Sequence, residues 1–284
     1  MGADRQTIVV TGAAGYVGRH VARELLDRGH EVTAIVRPGS RAGVDSRAHV
    51  VAADVLHSEF DPSALGAETP DALVHLAWQD GFAHNAPSHI ARLSDHFAFL
   101  DRVVESGVDR VAVLGSMHEV GYWEGAINAD TPTNPQSLYG VAKDALRRAA
   151  LQRFASRTQL QWLRCFYISG DDKNNQSIFT KLLVAEERGD AEFPFTSGRH
   201  LYDFIDVSEL ARQIATVVTA DGVAGVINCC TGRPVSLAAK VEQFIADRGL
   251  SIRLTYGAFP DRPYDSPGVW GDATRIDDIM ARGA

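Results

Sequence analysis

The chain has 284 residues, 45% of them hydrophobic and 23% charged, enough to bury a large core in one large or two smaller domains and too apolar for a disordered chain. A formal charge of −8 speaks against a general nucleic-acid binder, which needs a basic face to meet phosphates. No apolar stretch approaches the roughly 20 residues that span a bilayer, so the reading is a cytoplasmic protein without membrane contact.

In chain order, short apolar runs at residues 7–10, 32–36, 50–52, 72–76 and 111–114 read as strands. They are almost continuously hydrophobic, as in a parallel sheet covered on both faces. Between the first two, Val17, Val21 and Leu25 recur at helical spacing and Gly29 marks the stop. Ile90, Leu93, Phe97, Leu100 and Val104 place one apolar face on a second helix. A third helix is predicted from 138 to about 156, followed by a strand over 160–169. This alternation predicts an α/β, doubly wound Rossmann fold. Beyond Gly170 the loops lengthen and fill with Asn, Asp, Gly and Pro, while helices persist at 177–188, 207–219 and 236–248. The expected division is a dinucleotide-binding domain over 1–170, which also carries the chemistry. Residues 171–284 then form a smaller C-terminal substrate-binding lobe, interleaved with the sheet. Cys165, Cys229 and Cys230 show no CxxC spacing and cannot pair completely, which fits a reducing compartment and no metal site.

The segment TGAAGYVG at 11–18 follows a strand and opens a helix. Gly12 permits the tight turn, Gly15 the approach of a pyrophosphate, and Gly18 close packing of helix on strand, while free N–H groups at the helix start receive the diphosphate. After the second strand, the position where a carboxylate would hold the ribose 2′-hydroxyl of NAD is Val36. Arg37 follows and Arg41 is near, so the expected cofactor is NADP in preference to NAD. Asp54 suits either the adenine amino group or a helix cap.

Tyr139 and Lys143 stand four residues apart, on one helical face. A neighbouring ammonium favours a phenolate, so Tyr139 is expected to have a lowered pKa and to exchange a proton with a carbonyl or hydroxyl oxygen. Lys143 can also bind the nicotinamide ribose. Ser116, at the carboxyl end of the fifth strand, can stabilise a developing alkoxide. The adjacent Met117 cannot donate such a bond, and His118 and Glu119 receive no catalytic role.

These pieces resemble the extended short-chain dehydrogenase/reductase family, in the branch of nucleotide-sugar epimerases, dehydratases and 4-ketoreductases. The matching residues are TGAAGYVG, Asp54, HLA at 75–77, Ser116, Tyr139 and Lys143, then DFIDVSELA at 203–211 and RPYDSPGVWGDATR at 262–275. The resemblance implies that Gly12, Gly15, Tyr16, Val17, Gly18, Arg37, Asp54, Val55, Leu76 and Ala77 hold cofactor together with Tyr139 and Lys143. It implies that Ser116, Met117, Tyr139, Tyr167, Arg199 and Arg262 meet substrate, and that two copies pair through the helices of Phe97 and Tyr139. Tyr167 and Tyr202 replace an asparagine and an arginine of the family's nucleotide-diphosphate handle, and the Asp–Glu pair of dehydratases is absent at 118–119. The expected activity is reduction of a nucleotide-linked keto-deoxysugar. A nucleotide-sugar epimerase with tightly held NAD, a dehydrogenase of a free sugar or sugar acid, and a non-catalytic NADP sensor remain as alternatives.

Overall fold

The computed structural model describes residues 5–40, 43–66, 69–170, 177–261 and 266–283; Arg41 and Arg262 lie outside the described residues. The first half runs β1 (Thr7–Thr11), α1 (Tyr16–Asp27), β2 (Glu31–Val36), β3 (His49–Ala52), β4 (Ala72–His75), α2 (Ser88–Ala91), α3 (Leu93–Glu105) and β5 (Arg110–Ser116). It continues through β6 (Gly125–Ile127), α4 (Leu138–Phe154), β7 (Gln159–Cys165) and β8 (Tyr167–Ser169). The second half runs α5 (Ile178–Glu187), β9 (Glu192–Pro194), β10 (Leu201–Asp206), α6 (Val207–Thr219), β11 (Gly225–Cys229) and β12 (Pro234–Ser236). It ends with α7 (Leu237–Asp247), β13 (Arg253–Thr255), β14 (Gly268–Gly271) and α8 (Thr274–Arg282).

Seven parallel strands form the main sheet in the order β11-β7-β5-β4-β1-β2-β3. The chain winds outward from β1 to β3, then returns to β4 on the other side of β1. The reversal opens a crevice at the carboxyl ends of β1 and β4, the place where such sheets bind ligands. All four side chains of β4 are buried, whereas β3, at the edge, is only partly covered. Val21, Ala22 and Leu25 of α1 face one layer of core; Phe99, Leu100 and Val103 of α3 face the other.

Two predicted elements divide. The helix over Ile90–Val104 breaks at Arg92 into α2 and α3. Its buried face is His96, Phe99, Leu100, Val103 and Val104, while Ile90 is 43% exposed. The strand over 160–169 also splits at Phe166: β7 stays in the main sheet, and β8 pairs with β10. A second sheet, β12-β10-β14-β6, thus grows from the carboxyl end of the first. Asp203 on β10, fully buried, ties it together. Its carboxylate accepts from Thr231 N (2.9 Å), Gly232 N (2.8 Å) and Gly271 N (3.1 Å). No helix among the described residues is long and apolar enough to cross a membrane.

Candidate active site

The glycine loop joins β1 to α1 directly over the β1/β4 crevice. Gly12 has φ +68°, and a Cβ there would lie 2.8 Å from Ala77 N; a Cβ on Gly18 would lie 2.1 Å from Gly12 O. Only glycine allows both approaches. Gly15 caps α1 without a side-chain bond, and the first turn, begun by Tyr16 and Val17, has no acidic residue. The amides of this first helical turn and the side-chain-free cradle fit the diphosphate of a dinucleotide. Leu76 N and Ala77 N close the opposite wall on Thr11, donating to its carbonyl and hydroxyl oxygens at 3.3 Å. Beyond β2, Arg37 is exposed while Val36 is buried. Asp54 is exposed and its Oδ1 accepts from Leu56 N at 3.1 Å, in an Asx turn instead of a helix cap, with Val55 buried beside it.

The three residues singled out for chemistry come from two elements. Ser116 ends β5, and its hydroxyl accepts from His118 N at 3.2 Å while its own N–H donates to Glu119 Oε1 at 2.7 Å. This reciprocal capping box sets the serine at the strand end. Ser137 caps α4 by accepting from Gly140 N, and Gly140 allows the helix to pack on His118, where a Cβ would be 2.3 Å from the carbonyl oxygen. Tyr139 enters the site at the first turn of α4, its N–H donating to His84 O at 2.8 Å. One turn later, Lys143 is buried and its Nζ donates to Leu114 O at 2.7 Å.

The electrostatics differ from the sequence expectation. Burial pushes the Tyr139 phenol well above its ordinary range, with the Ser116 hydrogen bond opposing it. Lys143 Nζ donates to Leu114 O and lies 5.9 Å from the Tyr139 ring centroid, so its direct hydrogen bond goes to the backbone and not to the phenol ring. Burial in turn brings the Lys143 ammonium down to about 7. Glu119 faces inward, away from any acid–base duty. It accepts from Trp162 Nε1 at 2.9 Å and lies 3.5 Å from both Arg147 Nε and Arg164 Nε. Desolvation raises its carboxyl despite those cations.

The remaining site residues scatter more. Met117, next to the serine in the chain, is buried. The Tyr167 and Tyr202 rings lie 4.5 Å apart, and Tyr167 reaches His118 at 6.3 Å, so the two residues that depart from the family handle form one aromatic wall. Arg199 is exposed before β10, and Arg262 falls outside the described residues. Among the described residues no metal-capable cluster of His, Cys, Asp or Glu occurs.

Sequence reasoning missed the histidine-rich segment after β4. His84 stacks on Tyr139 at 5.4 Å and 12° and meets His118 at 4.4 Å. Behind it run Thr11 Oγ1 to His75 Nδ1 (2.8 Å) and His75 Nε2 to His96 Nδ1 (2.9 Å), with Trp78 stacked on His96 at 4.3 Å. The legible signal was four histidines within 22 residues, His75 in the HLA segment, His84 and His89 after it, and His96 in α3.

Residues 8–230 match the model of the NAD dependent epimerase/dehydratase family. The chain is 45% identical, over 93% of its own length and 98% of the relative's, to dTDP-6-deoxy-L-talose 4-dehydrogenase (NAD(+)) of Aggregatibacter actinomycetemcomitans. It is 24% identical to the UDP-glucose 4-epimerase of Azospirillum brasilense, over 95% and 84% of the two chains. Among solved structures it superposes on MoeE5 in complex with UDP-glucose and NAD with a TM-score of 0.81 at 26% identity, covering 97% and 92% of the chains. These findings overturn the expected preference for NADP: the 45% identical relative is NAD(+)-dependent and MoeE5 is in complex with NAD. The inference from Arg37 failed because a guanidinium is not specific for a 2′-phosphate. Exposed at the end of β2, it can equally stack on an aromatic base or stay in water.

Proposed function

The chain belongs to the NAD dependent epimerase/dehydratase family, and from that membership we propose that it is an NAD-dependent dehydrogenase oxidising the 4-hydroxyl of a dTDP-linked 6-deoxyhexose. The observation that carries this reading is 45% identity to a dehydrogenase of that description across nearly the whole of both chains. It is supported by Ser116, Tyr139 and Lys143 meeting beside the glycine loop.

Gly12, Gly15 and Gly18, with the α1 amides, hold the diphosphate, and Lys143 holds the nicotinamide ribose. When bound, NAD+ supplies the hydride acceptor. Ser116 Oγ binds the reacting oxygen, and Tyr139 Oη takes its proton, so a secondary alcohol leaves as a ketone with one NADH and one proton formed. The phenol sits in a desolvated place that favours its neutral form, so the oxidation gains from alkaline pH and the reverse reduction from lower pH. On the same reading residues 1–170 carry cofactor and chemistry and 171–284 most substrate contacts, in a cytoplasmic homodimer paired through α3 and α4.

The test mixes purified protein, NAD+ and dTDP-6-deoxy-L-talose or its 4-epimer. The expected result is NADH formed in step with a 4-keto product from one epimer, with a lower kcat/KM for NADP+. Interconversion of the two epimers without net NADH would overturn the dehydrogenase reading in favour of an epimerase. NADH from a free sugar alone would remove the nucleotide from the substrate.

A further inference from the structure

Lys143 is buried on α4, and its ammonium lies over the Trp78 indole, 3.6 Å from the ring centroid. At that distance the negative face of the ring attracts the cation, most strongly where water is excluded. The indole is itself held. Trp78 Nε1 donates to His89 Nδ1 at 3.1 Å, and His89 Nε2 lies 3.0 Å from Ala83 O. Trp78 stacks on His96 with an interplanar angle of 15°, and His96 is anchored through His75 to Thr11 on β1. A chain of contacts from the first strand therefore ends on the lysine of the candidate site.

The ionisable groups around Lys143 come from every packed element: Tyr139 on its own helix, Cys165 from β7, Glu119 beyond β5, His75 from β4 and His96 from α3. Glu119 is engaged with Arg147 and Arg164, and the Cys165 thiol, donating to Gly115 O at 3.1 Å, is pushed up to about 12 and stays neutral. Burial holds His75 and His96 neutral, at about 3 and about 2, so they do not repel the ammonium. Two groups in direct contact favour the charge, the Leu114 carbonyl oxygen that accepts from Nζ at 2.7 Å and the π face of Trp78, with the Glu119 carboxylate adding to them from farther away.

We propose that Trp78 is a positioning residue for Lys143, its indole face, locked by His89 and His96, keeping the ammonium charged and in place beside Tyr139. The inference rests on the role given to Lys143 in the proposed function, but it is tested without any substrate. The sequence holds four lysines, so carbon-13 at their ε positions yields four resonances to follow against pH, Lys143 being assigned from the one lost in Lys143→Arg. In Trp78→Leu the Lys143 midpoint should fall by about one pH unit, and in Trp78→Phe by less. Fluorinated tryptophan, which weakens the π face without changing its shape, should lower the midpoint stepwise even if Trp78→Leu does not fold. A midpoint unchanged by fluorination, or rising when the ring is removed, would show that the indole only desolvates the lysine and would overturn the proposal. Lack of turnover on a nucleotide sugar would instead count against the substrate reading and leave the titration intact.

Discussion

Ser116 and Tyr139 serve the candidate site with hydroxyls whose structural costs differ. Tyr139→Phe removes one oxygen that caps nothing, so kcat/KM for the alcohol should fall by about 10²–10⁴-fold while the melting temperature stays near wild type. Ser116→Ala loses the same kind of contact to the reacting oxygen and also the cap on the turn over Met117–Glu119. It should lose about 10²–10³-fold in kcat and about 1 kcal/mol of stability, with Ser116→Thr restoring the stability. Steady-state kinetics and denaturant unfolding on the same preparations separate the two effects.

At the scale of elements, the site depends on α4 and β5 meeting across a buried ion cluster. Gly115 leaves room for Trp162 and Glu119, since a Cβ there would come within 2.1 Å of Trp162 Nε1. Glu119→Gln keeps the shape but leaves the fully buried Arg164 facing a neutral group, while Arg147 keeps its ion pair with Asp144, and this should cost about 3–5 kcal/mol in chemical denaturation. Activity in the fraction that remains folded should fall less than in Tyr139→Phe, because Glu119 points inward. Gly18→Ala tests the other element pair. Its methyl collides with the Gly12 carbonyl, so α1 must move off β1, and NAD should no longer raise the melting temperature.

For the whole molecule, the buried histidines link folding to pH. His75 and His96 are held at about 3 and about 2 by desolvation, whereas an unfolded histidine titrates near 6.5. The unfolded chain therefore binds more protons below 6.5. Stability is complete above that value and declines as pH falls through the window toward the folded values. The slope is about 1.4 kcal/mol per pH unit for each excess proton. Urea unfolding between pH 5 and 7 should show this decline, and His96→Gln should flatten it. An unchanged slope in that variant would place the acid sensitivity elsewhere.

Much of this molecule is local in origin. Apolar runs near β1, β2, β4 and β5, the glycines of the first turn and the Tyr139–Lys143 spacing all lie within one element or one turn, where steric and periodic rules act on neighbouring residues. The sequence by itself therefore determined the doubly wound sheet and brought the serine, tyrosine and lysine forward as one set. Tertiary structure alone decided that a single predicted strand would serve two sheets, parting at Phe166. It also decided that α3 would bury His96 in place of Ile90, and that the Lys143 ammonium would make its direct contacts with Leu114 O and Trp78. Those outcomes depend on desolvation and contacts between residues far apart in the chain. A side chain's proton affinity and partner are properties of the packed interior that surrounds it, not of its spacing along a helix.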